Sequence, residues 1–182
     1  MSELSLLYGF KNYSKISDNY IWVPKDVVWD FWKDCISRTE HKFTILSYAS
    51  NEETWHLHGW REFALAIQEE RLKNGCRIER LFCLETNKEK DELNNEMMIQ
   101  KNIGIDVGYF LKKNLLNNKL VKKYSHEIGT LDVALIDDSW VMRGHLDNKR
   151  SFTGASASRD EELLKRVSFI IIREAQKISH KI

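Results

Sequence analysis

The residues able to do chemistry gather at four places along the 182-residue chain. The first is the polar, aromatic run 47–60, SYASNEETWHLHGW, where Ser47 and Tyr48 close a strand-like segment and His56 and His58 follow. Two histidines at i, i+2 on extended backbone share one face and suit a metal. No third ligand stands at a matching spacing, so a loop capping the next helix is the competing reading, and no metal or other cofactor is expected. The second is Glu85, beside Thr86 and Asn87 just past another apolar run: a single acid at the end of a strand, or a helix cap. The third is the carboxylate group Asp132, Asp137 and Asp138. A tight turn accounts for Asp137 and Asp138. Asp132 stands among apolar neighbours, and a buried carboxylate needs a partner. It should meet a basic side chain or backbone N–H groups, or else line a polar cleft. Alternation puts it on one face with Ala134 and Ile136, opposite Leu131, Val133 and Leu135. The fourth is the stretch 145–161, where Gly154, Ala155, Ser156, Ala157 and Ser158 lead into a helix, with Lys149, Arg150 and Arg159 nearby. A small-residue turn at a helix N-terminus can hold an anion. A solvated loop is the alternative, since the run has neither a P-loop lysine nor GxGxxG.

The elements that must position these groups follow from periodicity. A helix is expected over 25–38, with Pro24 at its first turn and Val27, Val28, Phe31, Trp32, Cys35 and Ile36 as its apolar stripe. FTILSYA (43–49) has strand composition. A second helix spans about 57–74 and ends at Gly75. CRIERLFCLE (76–85) is a strand, 87–102 a helix ending before Gly104, and IDVGYFL (105–111) a strand. The segment 112–127 is basic and has no clear period. LDVALIDDSWVMRG (131–144) reads as two strands around a turn at 137–139, followed by a polar loop over 145–158. A last helix runs from about 159 to 180, capped by Ser158 with Glu161 three residues on. The runs 4–10 and 19–23 fit edge strands or an arm over the core. Alternating helices and strands predict an α/β fold: a mixed, mainly parallel sheet with helices on both faces, in a single domain over 1–182.

Composition narrows the classes further. The chain is 42% hydrophobic and 30% charged, which suits a globular core. Its net charge is +1, from 28 basic and 27 acidic residues, so charge balance alone does not indicate a nucleic-acid binder. No secretory signal opens the sequence, and VSFIII (167–172) is too short to span a bilayer, so no membrane association is expected. Cys35, Cys76 and Cys83 lack CxxC spacing and are expected to be buried, reduced thiols, as in the cytoplasm.

The run TLDVALIDDSWVMRGH (130–145) resembles the H-x-K-x4-D-x6-G-S segment of the phospholipase D superfamily. Asp137 falls on the motif's aspartate and Gly144 on its glycine. Thr130 stands at the histidine position, Asp132 at the lysine position, and His145 at the serine position. The similarity spans about residues 25–144, including a tryptophan-bearing helix before FTILSYA, the block LAIQEERLKNGCRIERLFCLE, and IQKNIGIDVGYF. It is nearest to degenerate phospholipase D-like domains of bacteria, some of them attached to DNA-binding regulators. In active relatives the histidine attacks phosphorus and the lysine holds phosphate oxygens. Threonine and aspartate do neither. The resemblance therefore implies a non-catalytic domain that binds a small ligand or a protein partner, with a regulatory role. It also implies a homodimer, because active single-motif members pair their motifs across a twofold. The second reading is a phosphodiesterase or nuclease with a remodelled site, with His126, His145 and Lys149 as candidate catalytic groups beside Asp132. Ser47, Tyr48, Glu85, Asp137, Arg150 and Ser156 complete the candidate binding residues.

Overall fold

Runs of β-branched and aromatic residues bounded by turns build one sheet, and the helices between them cover both of its faces. A computed structural model describes residues 14–17, 19–48, 60–147 and 152–182. The strands are β1 (Ser14–Ser17), β2 (Tyr20–Pro24), β3 (Lys42–Tyr48), β4 (Arg77–Leu84), β5 (Asp106–Leu111), β6 (Val133–Ile136), β7 (Trp140–Leu146), β8 (Phe152–Ser158) and β9 (His180–Lys181). Their order across the sheet is β1-β2-β8-β7-β6-β3-β4-β5-β9. The helices are α1 (Val28–Arg38), α2 (Trp60–Lys73), α3 (Asn87–Asn102), α4 (Lys112–Leu116), α5 (Lys119–Ile128), α6 (Glu161–Lys165) and α7 (Arg173–Ile178). A 3₁₀ turn, Lys25–Val27, leads into α1, and a π-helical stretch, Arg166–Ile172, joins α6 to α7.

The sheet is mixed, as expected, but it is not mainly parallel. Only β3–β4 and β4–β5 run parallel among the described pairings; β1–β2, β2–β8, β7–β8, β6–β7, β3–β6 and β5–β9 are antiparallel. The helical crossovers α2 and α3 create the two parallel pairs. The hairpin around Asp137 and the return strand β8 impose antiparallel pairing on the other half.

Apolar alternation divides the core between the faces. Phe43, Ile45, Ile78, Phe82, Ala134 and Ile136 meet α1, α2 and α3 on one face. Leu46, Leu81, Cys83, Leu131, Val133 and Leu135 meet α4, α5 and the C-terminal helix on the other. All three cysteines are buried and unpaired.

Four expectations need correction. The loop foreseen over 145–158 is largely strand β8, which bridges β2 and β7. The basic segment 112–127 forms two helices. Asn118 caps α5 by accepting from the N–H groups of Leu120 and Val121, and Gly129, at φ 80°, ends it. The last helix is capped by Asp160, which accepts from Leu163 N, and not by Ser158. The run 19–23 is neither edge nor arm: β2 lies inside the sheet, between β1 and β8. The run 4–10 falls outside the described residues.

Candidate functional site

The carboxyl ends of β3, β4 and β5 lie side by side and carry a polar trio. Tyr48 ends β3, Glu85 follows β4, and Lys112 follows β5. The Lys112 ammonium donates to Glu85 Oε1 (2.8 Å) and to Tyr48 Oη (2.8 Å), and sits 4.3 Å from the centre of the Tyr48 ring. The Tyr48 hydroxyl donates to the same Glu85 oxygen. Burial pushes the Tyr48 phenol up, and its hydrogen bond to Glu85 adds to this. The Lys112 pKa is raised: burial works against the charge, and the hydrogen bonds to Glu85 and Tyr48 outweigh it. Both groups therefore keep their protons at neutral pH, and Glu85 is spent on holding them.

This trio borders a cavity of about 880 Å³. Tyr48, Leu116 and Leu131 form its apolar wall; Lys112, Lys119, Lys122, Lys123 and His126 supply its polar lining, with Ser125 and Thr130. Among the described residues, no carboxylate lines it. Lys123 reaches Glu127 at 3.9 Å, whereas Lys119 and Lys122 have no acid partner among the described residues. Helix α5 delivers this charge because lysines at 119, 122 and 123 share one side of it, while Val121 and Ile128 are buried on the other. The sequence marked 112–127 as basic but hid this arrangement, since five- and ten-residue helices are too short to display a period. Among the candidates, Tyr48, Glu85 and His126 come together here.

Asp132 lies on the opposite face. It immediately precedes β6, and its carboxylate accepts from the Tyr48 backbone N–H and faces the Arg80 guanidinium. Burial pushes the carboxyl up to about 6 despite both partners. Arg80 is itself 6% exposed. Burial lowers its pKa to about 10, against the opposing pull of Glu96 and Asp132. Gln100 Nε2 donates to Glu96 Oε1 (2.8 Å), extending the buried polar chain into α3. Ser47 is buried on this same face. The expected partner for Asp132 is thus present, in both of the forms foreseen. Asp132 does not line the lysine cavity.

Asp137 belongs to neither site. It lies at the far end of β6 and accepts from three backbone N–H groups: Glu40 (2.9 Å), His41 (2.8 Å) and Lys42 (2.8 Å). Asp137 and Asp138 both take positive φ, 48° and 52°, which short polar side chains tolerate. The carboxylate ties the hairpin to the start of β3.

His145 and Ser156 meet on the cavity side of the sheet. His145 Nε2 lies 2.9 Å from Ser156 Oγ, and Arg143 Nε donates to the same oxygen (3.3 Å). Ser156 sits inside a strand and not in a helix-leading turn, so the anion cradle foreseen from small residues at 154–158 does not form. His56, His58, Lys149 and Arg150 lie outside the described residues. Among the described residues, no three His, Cys, Asp or Glu side chains are grouped to hold a metal, and no helix is long and apolar enough to cross a membrane.

No protein-family model matches the chain, and no curated protein sequence does either. Solved structures do. TrmBL2, an archaeal chromatin protein described as showing a novel mode of DNA binding, superposes at TM-score 0.56 and 8% identity over 98% of this chain. The chain spans 59% of TrmBL2. NucT from Helicobacter pylori matches at TM-score 0.56 and 13% identity, over 90% of this chain and 97% of NucT. Nuc from Salmonella typhimurium, a phospholipase D family member, matches at TM-score 0.53 and 11% identity, over 84% of this chain and 89% of Nuc. The fold is phospholipase D-like.

Proposed function

We propose that this chain is a ligand-binding phospholipase D-like domain without the family's covalent chemistry, and that the lysine-lined cavity takes a phosphate-bearing polyanion, a single-stranded nucleic acid. One observation carries this reading: among the described residues, five basic side chains and no carboxylate line a cavity with an aromatic and aliphatic wall, beside the ends of the parallel strands. Such a cavity draws in phosphates by charge and offers the Tyr48 ring to a base. Net charge hides this, because the described acids lie elsewhere. The fold of TrmBL2, whose structure concerns DNA binding, supports the ligand class. Asp132 at the lysine position supports the loss of chemistry, since it faces Arg80 on the other side of the sheet and offers no cation to hold phosphate oxygens.

Fluorescence anisotropy with a labelled single-stranded oligonucleotide tests this. Binding should weaken steeply as salt rises, and replacing both Lys119 and Lys122 by Gln should reduce the magnitude of the logarithmic salt slope by roughly one to two. Salt-insensitive binding, or none, overturns the ligand class. A protein partner bound elsewhere on the surface is then the surviving form of the reading.

The second reading, a phosphodiesterase with a remodelled site, is favoured by His126 facing the same cavity as four lysines. Turnover of bis(p-nitrophenyl) phosphate that disappears in His126→Gln would establish it and overturn the non-catalytic reading. We further propose a homodimer, from the pairing of single-motif relatives; the chain's six tryptophans are in keeping with it.

A further inference from the structure

Strand register aligns a second basic group with the cavity. Leu46 pairs with Val133 and Val133 with Arg143. The same register carried two residues onward sets Tyr48 and His145 on either side of Leu131, all facing one way. Two strand spacings separate Tyr48 from His145, roughly 10 Å.

Around His145 the structure spends its hydrogen bonds in an unusual way. Ser156 is wholly buried and receives Arg143 Nε–H on its oxygen. Its oxygen also lies 2.9 Å from His145 Nε2; with the ring proton on Nδ1, the hydroxyl donates to Nε2 and Nδ1–H is the donor left on the imidazole. The Ser156 hydroxyl thus holds both basic heads by hydrogen bonds. The two terminal nitrogens of Arg143 have no partner among the described residues, and no described carboxylate pairs with Arg143 or His145. A half-buried arginine held against a histidine without an acid is costly unless an anion joins them. The Trp22 ring, 5.0 Å from the imidazole, closes one side with an apolar wall.

We propose that Arg143 and His145 form a second anion subsite, which takes one phosphate group through the free guanidinium nitrogens and the imidazole Nδ1–H. The planar guanidinium suits two phosphate oxygens at once. Burial, and then the Arg143 charge, lower the His145 pKa, so the imidazole stays neutral in the empty site. The subsite is distinct from the lysine cavity and rests on this chain's own pair of residues; it extends the anion-binding reading of the cavity without depending on it.

The test uses the full chain and inorganic phosphate, with sodium chloride at equal ionic strength as the control. Histidine ring nitrogens are followed by two-dimensional NMR, with His145→Gln assigning the His145 signals. Phosphate should move those signals saturably and chloride should not. Arg143→Gln should weaken the response about tenfold or more, and Arg143→Lys less, because the charge remains without the fork. Ser156→Ala should weaken it through loss of orientation. Replacing Lys119 and Lys122 should leave it unchanged. A His145 signal that ignores phosphate, or responds equally in folded Arg143→Gln or Arg143→Lys protein, overturns the subsite. Absence of oligonucleotide binding by the parent chain, with an intact His145 response, would instead overturn the cavity reading alone.

Discussion

Asp132 and Asp137 sit five positions apart, and their surroundings give them opposite characters. Asp132 has a carboxyl raised to about 6, above the ordinary carboxylate range. The folded chain holds that proton more tightly than the unfolded chain does. The associated stability is therefore complete below about pH 4 and is lost as pH rises through 6. Asp132→Asn keeps an acceptor for the Tyr48 N–H and removes the buried charge. It should melt above the parent at pH 8, with the difference closing towards pH 4, in matched thermal scans. A mutant that melts lower than the parent at pH 8 would mean that pairing with Arg80 outweighs burial. Asp137 instead accepts from three backbone N–H groups. Asp137→Ala strands those donors at a strand start and should cost about 2–3 kcal/mol in denaturant unfolding.

At the scale of elements, β8 shows how one glycine sets a sheet. Gly154 has φ 155°, and a Cβ there would lie 2.7 Å from the Val23 carbonyl oxygen and 3.1 Å from the Trp22 ring. Gly154→Ala must push β2 off β8 or strain the backbone. It should cost about 1–3 kcal/mol and loosen Trp22 against His145. Amide hydrogen exchange would show this as lost protection over 20–24 with little change at β4. The small residues of 154–158 were read as a solvated or anion-binding loop. Nothing in GASAS distinguishes the two faces of a crowded strand from a turn, because alanine and serine carry almost no periodic signal.

At the scale of the whole molecule, the sheet separates two polar systems. The chain from Asp132 through Arg80 and Glu96 to Gln100 is sealed on one face, while the lysines of α5 and the Arg143–His145 pair open on the other. Ligand binding and the Asp132 titration should therefore be independent. Oligonucleotide affinity in Asp132→Asn should stay within about twofold of the parent at pH 7, a free-energy change of about 0.4 kcal/mol. The homodimer belongs to this scale too, and light scattering at high concentration should give twice the chain mass; a monomer there refutes it.

By itself, the sequence determined the elements with strong local patterns: α3, β3, β4, β5 and the β6–β7 hairpin all lie within a residue or two of where periodicity and turn chemistry put them, and α1 begins three residues later, after a 3₁₀ turn. It also placed Asp132 on the face of Ala134 and Ile136, since alternation is a property of the strand alone. The motif resemblance around Asp137 and Gly144 pointed to the right fold. What lay beyond local pattern was decided by tertiary structure. Strand direction depends on which distant partner each strand meets, so mostly antiparallel pairing was invisible. The lysine cavity needs α5 to sit beside the end of β3, whose Tyr48 is about 70 positions away in the chain. The Arg143–Ser156–His145 contact needs β8 to return beside β7, and no spacing within the chain encodes that meeting.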